Sequence, residues 1–378
     1  MTKVLLNAVH AKSGGGVTYL RNILPLLAAR PELTIELVVQ AEQAEMARAL
    51  VPGLPVHVLP SLSNIRTVFV QEQLDIPRLA RQIGADVVFS PANFGPLFGT
   101  NVILLRNAFE VGRLEERFSK RLYWFVVKWL SQVSFMACKR AICVSRHAAD
   151  NFLKAFGRPG DPRVEIVPHG VSPLFTPGDE DARIPRRLLA VSDIYVQKNF
   201  ETLLDAVALL APDFPELRLD IAGRPLDGEY LGELKGRVER LGIGDRVSFL
   251  GGLPAAEVAE LYRRAELFVF PSLVETFGNP LLEAMASGLP VVVSNAAAMP
   301  EVAGGAALLA APGDAADMAD KIRALLTDRA LWRERAGAGI ARAAQFTWAR
   351  TAEATARVLV EAAGKWHPAA AQSTKENA

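Results

Sequence analysis

The sequence predicts an α/β protein with two doubly wound halves, each a parallel sheet between helices. Two series of six short, β-branched apolar runs recur at helical separations, the pattern of strands buried on both faces of a parallel sheet. At 378 residues the chain is long for one core and comfortable for two. A stretch rich in proline, glycine and acids separates the two series.

Taken in order, "KVLLNAV", "LTIELVVQ", "ADVVFSP", "NVILLRN", "RAICVS" and "RVEIVPHG" form the first series. "RRLLAVS", "LRLDIAG", "RVSFLGG", "ELFVFPS", "PVVVSN" and "AALLAAP" form the second. Between them, Pro168 to Pro185 holds four prolines in 18 residues, which works against a long helix or central strand and marks the linker. The expected units are residues 1–170 and 171–347. A ligand is expected in the cleft between two such halves. A final helix is expected over about 348–364, with a disordered tail over 366–378.

Composition excludes several classes. With 42 basic and 41 acidic residues, the charge of +1 gives no general attraction to nucleic acid. No run reaches the roughly 18 apolar residues that span a bilayer, and the N-terminus lacks the small-residue exit of a signal peptide. Cys138 and Cys143 have no ligands spaced around them for zinc and read as buried thiols. These features point to a cytoplasmic protein.

Gly14, Gly15 and Gly16 follow the first expected strand and precede a helix. Glycines let backbone N–H groups approach an anion, and a helix N-terminus favours negative charge. The segment is neither a dinucleotide fingerprint nor a P-loop, and a plain tight turn accounts for it equally well.

"PSLVETFGNPLLEAMASGLPVVVSN" runs from Pro271 to Asn295 and sets Glu275 and Glu283 on either side of a Phe-Gly-Asn-Pro turn. Pro280 suits the first turn of a helix, and Gly288 suits its C′ position. The amides of Phe277, Gly278 and Asn279 then lie at a helix N-terminus, an anion site. Carboxylates that accept from sugar hydroxyls beside amides that hold phosphate suit a ligand carrying both groups. A glycosidase pair would leave the anion site unexplained. Either acid alone could instead be structural, Glu283 by complementing the helix dipole.

This segment resembles the donor-site signature of the family 4 retaining glycosyltransferases, in which two glutamates are separated by seven residues. The resemblance continues through "ICVSRHAADNF", "PHGVSPLFTP", "VQKNFETLLDAV", "LDIAG", "RVSFLGGL", "AELFVFPS" and "FTWARTAEAT". It implies a GT-B fold, two Rossmann-like domains facing across a cleft, with an acceptor-side N-terminal domain, a donor domain and a last helix returning to the former. It also implies transfer from a nucleotide-diphosphate sugar, UDP- or GDP-linked, to a glycan or lipid-linked acceptor in surface polysaccharide synthesis, without metal or other cofactor. Glu275 would contact the donor sugar, Glu283 the ribose, and Lys198 the diphosphate. Gly15 and Gly16 would add contacts to the same phosphates.

Two positions depart from the family pattern. Asp193 stands where relatives carry an arginine that shares the diphosphate with the lysine, and Arg224 after "DIAG" is the candidate replacement. Arg106 and Asn107 stand where relatives carry a histidine, so a cation beside the leaving phosphate is expected from Arg106. His10 beside the glycine loop and His169 in the linker read as cleft-lining or packing residues. Two alternatives stay open: a nucleotide-sugar epimerase or inverting transferase on the same fold, and a degenerate nucleotide-sugar-binding scaffold, which Asp193 and Arg106 make credible.

From Arg117 to Lys139 one helix is expected, with Arg117, Arg121, Lys128 and Lys139 in a stripe containing Trp124 and Phe135. Phe118, Leu122, Val126, Trp129, Val133 and Met136 occupy the opposite side. The basic aromatic stripe suits either an anionic membrane surface, at the inner face of the cytoplasmic membrane, or water.

Overall fold

A computed structural model of the chain describes residues 1–364 apart from 13, 63–64 and 107–109, with backbone alone at 65–66. The expected tail and Asn107 lie outside the described residues. Contacts divide the chain into two units, one of 1–107, 123–170 and the chain from Trp348, the other of 108–122 and Val171–Thr347.

The first unit is built on seven parallel strands: β1 (Thr2–Asn7), β2 (Leu33–Gln40), β3 (Val56–Leu59), β4 (Val87–Ser90), β5 (Asn101–Leu105), β6 (Arg140–Cys143) and β7 (Val164–Ile166). Their order is β3-β2-β1-β4-β5-β6-β7, with Val4 opposite Ile35 on one side of β1 and opposite Val87 on the other. Val4 to Leu6 of β1, Val87 to Phe89 of β4 and Val102 to Leu105 of β5 are all buried, as in strands covered on both faces. The strand absent from the sequence reading is β3. Pro55 and Pro60 flank it, and it lies at the sheet edge, where proline is tolerated and the apolar signal is short.

The second unit holds β8 (Arg187–Val191), β9 (Arg218–Ala222), β10 (Val247–Gly251), β11 (Leu267–Phe270), β12 (Val291–Ser294) and β13 (Leu308–Ala310) in the order β10-β9-β8-β11-β12-β13. Its core joins Leu188, Ala190, Leu219 and Ile221 to Phe200, Leu203 and Val207 of helix Phe200–Leu210. No helix or named strand lies between Ile166 and Arg187, where the linker was expected. Each sheet reverses its strand order once, between β1 and β4 and between β8 and β11. Crevices beyond the strand ends at such reversals are where open α/β sheets bind ligands. Together the two sheets form a GT-B fold.

The last helix, Trp348–Ala362, belongs to the first unit. Trp348 stacks on His169 at 5.6 Å, and Thr351 Oγ1 donates to the Pro168 carbonyl at 2.8 Å. His169 therefore packs between Trp348 and Tyr19.

Residues 108–122, counted with the first half in the sequence, group with the second unit because of an ionic cluster. Arg117 and Lys120 both pair with the Asp227 carboxylate, and Tyr195 donates its hydroxyl to Glu115 at 2.7 Å. The unit boundary falls within helix Phe118–Ala137.

That helix corrects the expected facing. Phe135, placed in the basic stripe, is fully buried with Val127, Leu130, Ser131 and Ser134. Phe118, Leu122, Val126, Trp129 and Met136 are exposed. The sequence periodicity was right, but it could not say which side packs inward, and the small Ser131 and Ser134 mark the covered side.

Candidate nucleotide-sugar site

In the second unit the site residues gather where the strand order reverses. The connection after β8 ends in a short turn, Val196–Lys198, closed by Asn199 in the left-handed region at φ +51°. Asn199 suits that conformation because its short amide hydrogen-bonds locally. It donates to the Pro271 carbonyl at 3.2 Å and accepts from Thr202 at 2.9 Å. The Leu273 amide donates to the Gln197 carbonyl at 2.9 Å. These bonds tie the loop after β8 to the loop after β11.

The tie brings Lys198 onto Glu275. The ammonium donates to Glu275 Oε1, which also accepts from Ser272 Oγ at 2.9 Å. Both side chains are mostly enclosed, at 14% and 13% exposure. Removing either partner strands a poorly solvated charge. Both bonds fall on Oε1, which leaves Oε2 as the oxygen a ligand hydroxyl can reach. Lys198 also lies 5.5 Å from the Phe270 ring centre.

Helix Asn279–Ala286 starts at Gly278, whose φ is +88°. A Cβ there would lie 2.8 Å from Met299 Cε, so only glycine fits both the conformation and the space. The Phe277 ring is buried against Phe346 at 5.8 Å and serves packing, while its amide sits at the helix start. Glu283 lies one turn into the helix and accepts from the Tyr262 hydroxyl at 3.2 Å. Burial pushes its carboxyl up to about 7, against the lowering effect of that hydrogen bond. A carboxyl near neutrality can either accept from or donate to a hydroxyl.

Arg224 and Asp193 form a two-point ion pair. Arg224 Nε donates to Oδ1 at 3.1 Å and Nη2 to Oδ2 at 2.7 Å, and the Arg224 backbone amide adds a third bond at 3.1 Å. The expected replacement cation is therefore held by Asp193.

In the first unit, Gly15 and Gly16 lie inside helix Gly14–Ala28, which begins at the glycines themselves. A Cβ on Gly15 would meet nothing within 4 Å, whereas one on Gly16 would come to 2.9 Å from Arg106 Nη2. Arg106 thus lies directly beneath Gly16, and its amide donates to Asn93 Oδ1 at 2.7 Å. Burial pushes its guanidinium below the ordinary value.

Sequence reasoning missed five contributors. Ser272 and Tyr262 orient the two glutamates, and neither type announces such a role. Tyr195 and Glu115 form a pair 80 residues apart in the chain, a separation no local pattern reveals. Buried Glu72 accepts from Asn7 at 2.8 Å and pairs with His10 at 3.2 Å beneath the glycine loop. Its position on an amphipathic helix reads as surface.

A family model described as "Glycosyl transferases group 1" matches residues 182–342, and one described as "Glycosyltransferase Family 4" matches 13–173. O-antigen chain mannosyltransferase B of Escherichia coli is 40% identical over 164 residues, 42% of each chain. D-inositol 3-phosphate glycosyltransferase of Nocardia farcinica (strain IFM 10152) is 32% identical over 248 residues, 61% of this chain and 54% of that one. The chain thus spans about half the length of these relatives. Among solved structures, Anabaena Alr3699/HepE in complex with UDP and glucose has a TM-score of 0.76 at 20% identity, covering 96% of this chain and 100% of that one. WaaG, a glycosyltransferase involved in lipopolysaccharide biosynthesis, has a TM-score of 0.73 at 17% identity over 94% and 99% of the two chains.

Proposed function

The chain belongs to the family 4 glycosyltransferases, glycosyl transferases group 1, and from that premise we propose that it is a retaining transferase acting on a nucleotide-diphosphate sugar. The observation that carries the proposal is the enclosed Lys198–Glu275 pair, followed by Glu283 one turn into the next helix, at the strand-order reversal of the second unit.

Each group has a task on such a donor. Lys198 meets the diphosphate as it departs, where a fixed cation stabilises developing charge without solvent rearrangement. The amides of Phe277, Gly278 and Asn279 at the helix start supply dipoles to the same phosphates. Glu275 holds a sugar hydroxyl and Glu283 the ribose hydroxyls. In the first unit, Gly15 and Gly16 open a helix N-terminus that suits a phosphate, with Arg106 beneath as a cation. Arg224 supplies a further cation when the diphosphate draws it from Asp193. The departing phosphate takes the acceptor's proton, so the chain needs no dedicated base. Catalysis proceeds without a divalent metal, and activity in EDTA equal to that with magnesium is the expected result.

The acceptor is a glycan or lipid-linked saccharide in surface polysaccharide synthesis, a reading supported by the name of the E. coli relative. A lipid-linked acceptor places the protein at the inner face of the cytoplasmic membrane, in contact through residues 117–139. The donor is a UDP- or GDP-sugar, with the UDP and glucose complex of HepE favouring UDP and glucose and the name of the E. coli relative favouring mannose.

The deciding experiment is a thermal-shift panel of UDP-, GDP-, ADP- and CDP-sugars. A ligand at a hundredfold its Kd stabilises by about 2.7 kcal/mol. One base class should raise the Tm, and NMR of the product should show the donor's anomeric configuration retained. A flat panel sinks the proposal, and binding without turnover moves the protein to the degenerate scaffold.

A further inference from the structure

Within the first unit, buried polar side chains gather where the strand order reverses. Asn7 ends β1 and Ser90 ends β4, the strands on either side of the reversal. Both are 1% exposed, as is Glu72 on helix Ile65–Ile83. The Asn7 side-chain oxygen accepts from the Val9 amide at 3.4 Å. Its nitrogen is thereby turned to Glu72 Oε1 at 2.8 Å and Ser90 Oγ at 3.1 Å. Among the described residues Glu72 Oε2 has no hydrogen-bond partner. An unmet buried carboxyl oxygen costs stability, and packing alone gives no reason to keep the acid there.

The outward contact of the acid is His10, whose Nε2 lies 3.2 Å from Glu72 Oε1. That oxygen already accepts from Asn7, so it acts as an acceptor and Nε2 is the donor. The bond made by one ring nitrogen fixes the state of the other. Nδ1 is the nitrogen left for a ligand, on a side chain 19% exposed above an acid at 0%. Half-buried Phe94 stands perpendicular to the imidazole with ring centres 4.9 Å apart. A Cβ on Gly95 would lie 2.7 Å from Ser90 Oγ, so glycine lets the loop after β4 close on Ser90 and carry Phe94 to His10.

A buried acid, the imidazole it orients and an aromatic ring beside them suit a sugar. The imidazole takes a hydroxyl and the ring takes the C–H face, an apolar wall with few directed polar groups. With Glu72 ionised the pair carries no net positive charge, so it suits a neutral hydroxyl and offers nothing to a carboxylate or phosphate.

We propose that His10 Nδ1 accepts a hydrogen bond from a hydroxyl of the acceptor, a neutral sugar residue lying against Phe94. Glu72 is the positioning residue that fixes the imidazole. The proposal rests on the transferase reading for the role of the bound sugar and adds its class, neutral and not acidic. His10 orients the hydroxyl and takes no proton from it.

The test is saturation-transfer difference NMR of the full chain without donor. The probes are the methyl glycosides of mannose, glucose, galactose and N-acetylglucosamine, with methyl glucuronide as the acidic comparison. At least one neutral glycoside should give a signal, and the glucuronide should bind about tenfold or more weakly. Glutamine at position 10 reproduces Nε2 and its bond to Glu72, whereas asparagine reproduces Nδ1. His10→Gln should therefore lower affinity about tenfold, while His10→Asn stays within about threefold of wild type. A merely structural histidine would give the opposite order. Glu72→Leu should weaken binding in the wild type and add little to His10→Gln, because the acid acts through the ring. No signal from any neutral glycoside, tighter binding of the glucuronide, the reverse order of the two His10 variants, or a full additive loss in the double variant overturns the proposal. Donor binding without glycoside binding removes this site and leaves the transferase reading, and glycoside binding with a flat donor panel does the reverse.

Discussion

Lys198 and Glu275 are 77 residues apart in sequence, yet the ammonium rests on the carboxylate within a mostly enclosed site. The loops after β8 and β11 are drawn together by the Asn199 and Leu273 bonds, so backbone contacts hold the pair together. A cation held in position costs no reorganisation when charge develops on a leaving group.

Glu275→Gln should therefore lower turnover by about 10²- to 10³-fold, with circular dichroism unchanged. Lys198→Ala should do likewise. Because the two act as one unit, the double variant should be far less impaired than the product of the single effects. Near-normal activity of Glu275→Gln removes its proposed role.

The Asp193–Arg224 pair gives a second prediction. Both groups are partly exposed, so the pair is weak and can open. Asp193→Asn removes a negative charge near the diphosphate and releases the guanidinium, and nucleoside-diphosphate affinity should rise about 2- to 5-fold at low salt. Arg224→Ala should reduce it by about tenfold. Calorimetric titration checks both. A loss of affinity in Asp193→Asn would show that the acid positions the arginine and does not oppose the phosphate.

Much of this was legible in the sequence, and the parts that were not share a cause. Apolar runs located twelve of the thirteen strands, and Pro280 and Gly288 bracketed a helix that runs from Asn279 to Ala286. Edge strand β3 was missed because flanking prolines and a half-exposed position erase the signal. The facing of helix Phe118–Ala137 was misread because both of its long sides carry aromatic residues. Period alone cannot tell which side packs inward. The partners of Glu283 and Glu275 were invisible for a different reason. Tyr262 and Ser272 are ordinary residues until the fold places them, whereas the spaced glutamates announce themselves by local pattern.

Glu283 supplies a pH prediction. Its carboxyl rises from an ordinary 4.5 to about 7 through burial. Between those values the folded chain holds a proton that the unfolded chain has released, so stability contributed at this site falls as pH rises through the window. Discounted for partial solvent access, the effect is about 1 to 3 kcal/mol. Glu283→Gln keeps a neutral group of the same shape and should flatten the decline, gaining Tm relative to wild type from pH 5 toward 7.5. Parallel Tm profiles for the two proteins contradict the assignment.

Tyr195 offers the most selective test of how the Lys198 loop is held. Its hydroxyl donates to Glu115, a buried carboxylate whose other oxygen accepts from Arg117 at 2.8 Å, and Arg117 in turn pairs with Asp227. Arg117 and Lys120 hold the Asp227 carboxyl far below its usual range. Asp227 also caps the helix that delivers Tyr230 to the Phe200 amide at 3.2 Å. The short turn carrying Lys198 is thus gripped on both sides, by Tyr195 before it and Phe200 after it. Tyr195→Phe leaves one buried carboxylate oxygen unpaired, a cost of about 1 to 3 kcal/mol that relaxing the loop relieves. Lys198 then loses its fixed position, and nucleoside-diphosphate affinity should fall about 3- to 10-fold. The nucleoside monophosphate lacks the second phosphate and should bind as before. An equal loss for both ligands, or for neither, would show that the cluster only stabilises the unit and does not aim the lysine.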